Sequence, residues 1–156
     1  MGRKSVKENK NRYQEIREEL NLTREQASEL LEFVSADRLE KIENEKTPIR
    51  PEEVLKMSEV YKKAELCNYY CSHECPIGQR YVPEAENKEL SQITLEMLAL
   101  LNSLDREKNR LIEITVDGKI TDDELPDFNK IKQQLDEMSK TITSLKLWID
   151  NEMEKK

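Results

Sequence analysis

The side chains best suited to chemistry lie in one short run. Residues 67–79, CNYYCSHECPIGQ, place Cys67, Cys71, His73 and Cys75 within nine positions, and they hold all three cysteines and the one histidine of this 156-residue chain. Thiolate and imidazole are the preferred ligands of zinc, which takes four of them in a tetrahedron and draws off the thiol protons as it binds. Common zinc sites separate two ligand pairs by a longer stretch, whereas Cys71, His73 and Cys75 alternate every second residue, a spacing for extended chain. Were the segment helical, Cys67, Cys71 and Cys75 would line one face at steps of four, and three thiolates followed by Pro76 would suit an iron–sulfur cluster. A local disulfide, or inert thiols packed against Tyr69 and Tyr70, are the alternatives. A Cys–His nucleophile lacks a third residue and an oxyanion site, so the chain is read as a non-enzyme.

A second candidate lies further on. EITVDGKITDDE, residues 113–124, has the second half of a calcium loop, with Asp117, Gly118, Ile120 and Glu124 at the fifth, sixth, eighth and twelfth places. The first half fails, because Glu113 and Thr115 stand where short acidic ligands are needed. The simpler account is structural: Asp117-Gly118 forms a tight turn, and Thr121 with Glu124 caps the helix that follows, with Pro126 in its first turns.

The elements that must hold these residues are helices. Charged residues make up 38% of the chain, with 3 Gly, 5 Pro and 5% aromatics, a composition poor in strand and turn formers. The apolar share of 36% supports a thin core, as in bundles whose helices bury one stripe each. No run approaches the roughly 20 apolar residues of a membrane span, and the N-terminal residues lack the apolar core of a secretion signal, so a soluble cytoplasmic protein is expected. Net charge is -7 overall, with residues 1–63 balanced at 14 basic and 14 acidic side chains and the excess acid all in residues 64–156. A balanced domain still presents a basic face if its charges are suitably placed.

Residues 1–12 form a polar arm carrying Arg3, Lys4, Lys7, Lys10 and Arg12. Helical periodicity begins at Tyr13 with Ile16 and Leu20, and Asn21 suits a left-handed stop. Thr23 is the N-cap of a second helix, with Gln26 at the capping-box position and Ala27, Leu30 and Leu31 as its buried stripe. Phe33 and Val34 anchor a turn, Ser35 caps a third helix with Leu39 and Ile42 inward, and Pro51 opens a fourth bearing Val54, Leu55, Met57, Val60 and Tyr61.

The run from Ile16 to Tyr61 resembles the Xre or Cro/lambda-repressor type of helix-turn-helix domain. The resemblance rests on Leu22-Thr23 opening the second helix, Val34-Ser35 opening the third, Ile42-Glu43 ending it, and Pro48 and Leu55 beyond. Departures are Arg24 for a glutamine, Ser28 for a small alanine, and Glu32-Phe33 where the inter-helix turn has glycine. The resemblance implies a sequence-specific, repressor-like regulator whose third helix enters the major groove of double-stranded DNA while the second helix starts at phosphate. Its DNA-facing residues would be Thr23, Arg24, Ser35, Ala36, Asp37, Arg38, Glu40, Lys41 and Lys46.

Beyond Pro83 two heptad series appear. Leu90, Met97, Leu104 and Leu111 interleave with Ile93, Leu100 and Ile114, and Phe128, Leu135, Ile142 and Ile149 interleave with Ile131, Met138 and Leu145. Two helices joined by the Gly118 turn should form an antiparallel hairpin. Leu95, Leu98, Leu101, Leu147 and Trp148 lie partly off these series and suit an interface, for a homodimer or for another protein. The expected fold is all-α: a flexible arm (1–12), a four-to-five-helix lambda-repressor-like domain (13–63), a cysteine-bearing connector (64–87) and the helical hairpin (88–156). Alternatives are an interaction module that keeps the fold without binding DNA, and a metal- or redox-sensing regulator.

Overall fold

The structure, a computed structural model, describes residues 9–154, with side chains through residue 153. Every regular element among them is helical: α1 Arg12–Glu19, α2 Arg24–Leu31, α3 Ala36–Glu43, α4 Pro51–Tyr61, α5 Glu65–Tyr69, a π-helical turn Tyr70–Glu74, α6 Gly78–Tyr81, α7 Leu90–Thr115 and α8 Leu125–Glu154. The chain divides into two compact units, Met1–Arg80 and Tyr81–Lys156.

In the first unit, short helices start where side chains satisfy their orphan amides. Asn11 accepts from the amide of Gln14, Thr23 and Gln26 close a reciprocal capping box, and Ser35 accepts from the amide of Arg38. Pro51 stands in the first turn of α4, and Asn21 and Lys62 take the left-handed conformation where α1 and α4 stop. Their inner stripes meet in one core built on Ile16, Ala27, Leu31, Val34, Leu39, Ile42, Val54, Met57 and Tyr61. Leu30, expected in the buried stripe of α2, and Phe33, expected as a turn anchor, are instead exposed by 49% and 60%. The eight-residue α2 has room for one narrow buried stripe, and Leu30 stands beside it, while Phe33 lies in the turn past its end.

The cysteine segment is not a bare connector. Leu66 is fully buried in that core, with Cys67, Tyr69 and Tyr70 packed against it, so the unit runs on to Arg80. Arg12 pairs with Glu65, and the Tyr13 hydroxyl donates to Glu74 at 2.8 Å while its ring meets Tyr69 edge-on at 6.0 Å. Arm residues Arg3, Lys4 and Lys7 lie outside the described residues. Lys10 is tied to Glu18 at 2.7 Å.

The second unit is an antiparallel pair of long helices. Arg110 meets Asp127 at 2.7 Å, Glu107 meets Lys130 at 2.5 Å, and Ser103 accepts from Gln134 at 2.7 Å, which fixes the register. Ile93, Ile114 and Ile131 are the fully buried seam. Leu95, Leu98 and Leu101 are exposed as expected, whereas Leu147 is buried and Trp148 half-buried. The strand of chain before α7 explains part of that difference. The Glu86 amide donates to the buried Ser144 hydroxyl at 2.9 Å, its carboxylate meets Lys140, and Lys88 reaches Glu96 at 2.9 Å, so residues 86–88 strap one edge of the pair. Lys140 and then Lys88 hold the Glu86 carboxyl down to about 2. At the far end Gly118 takes φ +69°, the Asp117 carboxylate accepts the Lys119 amide, and Glu124 accepts from both the amide and the hydroxyl of Thr121.

Candidate nucleic-acid interface

Two helix starts and the turn between α2 and α3 define the site. Thr23 has its hydroxyl in the α2 cap, accepting the Gln26 amide at 3.2 Å, while Gln26 returns to the Thr23 amide at 2.9 Å. The turn into α3 is tight: Glu32 has φ +64° and ψ -60°, and the Phe33 amide donates to the Leu31 carbonyl at 2.7 Å. This is a γ-turn of the rare, strained hand, built where a glycine would be at ease. Val34 returns into the core and Ser35 caps α3, so the third helix leaves the turn with its axis fixed at both ends.

Along α3 the inner face is Leu39, Ile42 and Glu43, all buried. The outer face carries Asp37, Glu40 and Lys41, exposed, with Ala36 half-exposed at its start. Lys41 meets Asp37 at 2.7 Å, and Lys46 stands 3.8 Å from Glu40. Both pairs lie in solvent, where an ion pair contributes about 0–1 kcal/mol, so these cations remain available to a polyanion. The outer face is therefore exposed and nearly neutral as it stands.

Two of the expected contact residues serve the fold. The Arg38 guanidinium holds both oxygens of Glu53 at 2.7 Å, the Pro48 carbonyl at 2.8 Å and the Thr47 hydroxyl at 2.5 Å. Arg38 thus locks the first turn of α3 to the loop before α4 and to α4 itself. Glu53 also accepts the Arg50 amide at 2.8 Å. Burial alone would push its carboxyl up, and the Arg38 guanidinium with the Arg50 amide outweighs burial and holds it below the usual carboxylate range. Arg24 donates through Nε to Glu43 at 2.9 Å and keeps its side chain about 30% exposed, so it is half anchored at the start of α2.

The centre of this network was not visible in the motif. Glu43 is 1% exposed and receives Arg17 through two bonds of 2.6 and 2.8 Å, while Arg17 also donates to the Leu22 carbonyl at 2.6 Å. One buried carboxylate therefore ties α1, the start of α2 and the end of α3 together. A sequence signal existed in the charged Glu43 directly after the core residue Ile42, at a position too buried for an unpaired charge. Nothing in the spacing pointed to Arg17.

Residues 14–65 match the family model described as helix-turn-helix, which covers about a third of the chain. The first unit holds a helix-turn-helix domain of the Xre/lambda-repressor type. No curated protein and no solved structure gives a significant match to the chain. The family is one of DNA-binding regulators rather than of enzymes, and the helix-turn-helix domain here keeps its elements in order, with an extra wall from residues 66–80 beyond the matched span. Among the described residues no helix is long and apolar enough to cross a membrane.

That wall holds the cysteines, and they do not fit a zinc or iron–sulfur site. Cys67 lies on α5, Cys71 within the π-helical turn and Cys75 at its end, all partly buried. No group of three or more Cys, His, Asp or Glu side chains among the described residues converges as a metal requires. His73 is engaged elsewhere: its ring stacks on Tyr69 at 4.5 Å, and its Nδ1 lies 2.9 Å from the Ser72 hydroxyl. The Cys75 sulfur accepts the Gly78 amide at 3.4 Å, and burial, then the neighbouring Cys75 and Cys67, pushes the Cys71 thiol up. A raised thiol pKa opposes the deprotonation that metal binding needs. Gly78 itself lies against the Cys71 backbone, where an added Cβ would come within 2.0 Å of the carbonyl oxygen. The spacing is thus accounted for by a folded-back CPIG turn. Nor does the loop at Asp117–Glu124 form a calcium site, since the Glu124 carboxylate is taken by Thr121 and Asp117 by the Lys119 amide.

Proposed function

We propose that the protein is a cytoplasmic, sequence-specific transcriptional regulator of repressor type. It binds double-stranded DNA as a homodimer, with α3 of each copy in the major groove. The observation that carries this reading is the outer face of α3. It is held by a capped start and by the Arg38–Glu53 lock, and it presents Ala36, Asp37, Glu40 and Lys41 to solvent within a domain of a DNA-binding family. In this reading Ser35 and Ala36 approach base edges, and Asp37 and Glu40 accept from cytosine amino groups. Thr23, Arg24, Lys41 and Lys46 meet phosphate, and a two-fold pair spaces the two α3 helices by about one helical turn of DNA.

The near neutrality of that face supports a second reading, in which the domain binds another protein. Selection from a random duplex pool at moderate salt separates the two. The DNA reading expects an enriched two-fold site whose affinity falls steeply with salt, and loss of binding in folded Lys41→Glu and Lys46→Glu variants. Failure of the folded protein to enrich any sequence at low salt would favour the protein partner. Arg38 is unsuitable for this test because its replacement disturbs the fold.

A further inference from the structure

We propose that Cys71 and Cys75 form a reversible oxidation site, at which a small two-electron oxidant of the hydroperoxide class converts the two thiols into an intramolecular disulfide while Cys67 is spared. The site lies in the wall that residues 66–80 add to the helix-turn-helix domain, and it stands or falls independently of DNA binding.

Backbone geometry selects the pair. All three cysteines are free thiols and only partly buried, within reach of a molecule of a few atoms. The last hydrogen bond of the π-helical turn runs from the Cys75 amide to the Tyr70 carbonyl at 2.9 Å, and the nitrogen of Cys71 belongs to that same peptide group. The Cα atoms of Cys71 and Cys75 are thereby held roughly 5–6 Å apart, inside the range of about 4.4–6.8 Å that a disulfide spans. Cys67 and Cys71 also stand one turn apart, but both lie in helical backbone. There the Cα–Cβ bonds run parallel and keep the Cβ atoms roughly 6 Å apart, whereas a bridge needs about 4 Å. Cys75 is placed differently. At φ -81° and ψ 118° it has left the helix, so its Cβ is not held parallel to that of Cys71.

The Cys75 sulfur lies on the Cys71 side of the turn. It accepts the Gly78 amide at 3.4 Å, and Gly78 is packed so closely on Cys71 that a Cβ built on it would come within 2.9 Å of the Cys71 Cα. Burial, and then the neighbouring Cys75, pushes the Cys71 thiol up. The two sulfurs therefore have different parts: Cys75, with an amide donor on its sulfur, reacts first, and Cys71 reacts second with a partner already beside it.

The step balances with one hydroperoxide. The Cys75 thiolate attacks a peroxide oxygen, the O–O bond breaks, an alcohol or water departs with the proton, and Cys75 becomes a sulfenic acid. The Cys71 sulfur then attacks that sulfur, the S–S bond forms as the S–O bond breaks, and water carries away the hydroxyl and the Cys71 proton. Two thiols have lost two electrons and two protons, and the hydroperoxide has been reduced. The ring closed by residues 71–75 contains Glu74, whose carboxylate accepts from the Tyr13 hydroxyl, so the bridge forms one contact away from α1.

The test uses the native full chain, reduced, freed of thiol, kept dilute and treated with a few equivalents of hydrogen peroxide. Its mass should fall by about 2 Da and its alkylatable thiols from three to one per chain, both reversed by dithiothreitol. Cleavage after Glu65, Glu74 and Glu84 should leave residues 66–74 and 75–84 joined until reduction. Cys67→Ser should bridge at a rate within about twofold of the native chain, Cys75→Ser should form no bridge, and Cys71→Ser should stop at a sulfenic acid that dimedone traps. Three thiols that persist in the folded protein, a bridge confined to residues 66–74, a bridge lost in Cys67→Ser, or a bridge formed only between chains would each overturn the proposal. The digest of the native chain decides between pairs that include Cys75 and the pair that does not, even where a variant fails to fold.

Discussion

Replacing Arg38 by methionine keeps the stem of the side chain and removes its charge, and the structure says this should cost stability before it costs recognition. Arg38 makes two charge-assisted bonds to Glu53 and one each to Thr47 and Pro48, with its side chain 22% exposed and that of Glu53 8% exposed. Stranding one partner of a buried pair costs about 3–5 kcal/mol, and the residual exposure of Arg38 brings the expectation to about 2–3 kcal/mol. An 80-residue unit has about 4–12 kcal/mol in all, so the loss is a large fraction. Urea titration followed by circular dichroism should show a midpoint lower by about 2 M at a slope near 1–1.5 kcal/mol/M. Glu53→Leu should cost a similar amount, and the double variant less than the sum of the two, because neither charge is then left alone. DNA binding supplies the second readout. Where the variant is still folded, the salt dependence of affinity should be unchanged, since a lost phosphate contact would lower its slope by about one. Stability within about 0.5 kcal/mol of the native protein, together with lost DNA affinity, would refute the lock and return Arg38 to the interface.

Four further outcomes are expected from the same domain. Glu32→Gly should stabilise it by about 1 kcal/mol and raise the melting temperature by about 4–8 °C, because the residue at φ +64° no longer pays for a side chain; a lower melting temperature would contradict the strained turn. Gly78→Ala should destabilise the first unit by about 1–3 kcal/mol in thermal melts, because its Cβ would meet the Cys71 carbonyl at 2.0 Å. Arg17→Met should cost about 3 kcal/mol or more by urea titration, as it removes the two-bond guanidinium partner of the buried Glu43. Because the folded-state pKa of Glu53 lies below its ordinary value of 4.5, its contribution is complete above that value and is lost as pH falls through the folded pKa. Stability between about pH 5 and pH 3 should therefore fall less steeply in Glu53→Gln than in the native protein, and parallel curves would show that Glu53 is not depressed.

Much of this fold was legible in the sequence because its helices are bounded by local chemistry. Thr23, Gln26, Ser35, Asn21 and Pro51 act on amides and dihedrals within a few residues of themselves, and the structure finds each in its expected role. Leu30 departs from its expected burial for the complementary reason. Hydrophobic type fixes which residues could be buried, but in helices of eight to eleven residues the neighbouring elements decide which side of the stripe is covered. The cysteine segment shows the same limit. Spacing read as ligand geometry assumes that the chain is free to close around an ion, whereas here Leu66 and Tyr69 pin it to the core and Gly78 folds its end back on Cys71.

The recognition surface was legible to the level of the helix and not of the side chain. That α3 should face outward followed from Leu39 and Ile42, whose inward direction leaves Ala36, Asp37, Glu40 and Lys41 on the other side. Which cations on that helix are free did not follow, because freedom depends on acidic residues far along the chain. Arg38 is separated by 15 residues from Glu53, and Arg17 by 26 from Glu43, and no periodicity links either pair. Once those carboxylates have taken Arg38 and Arg17, the cations around α3 that stay exposed among the described residues include Lys41, Lys46, Arg50 and the outer part of Arg24.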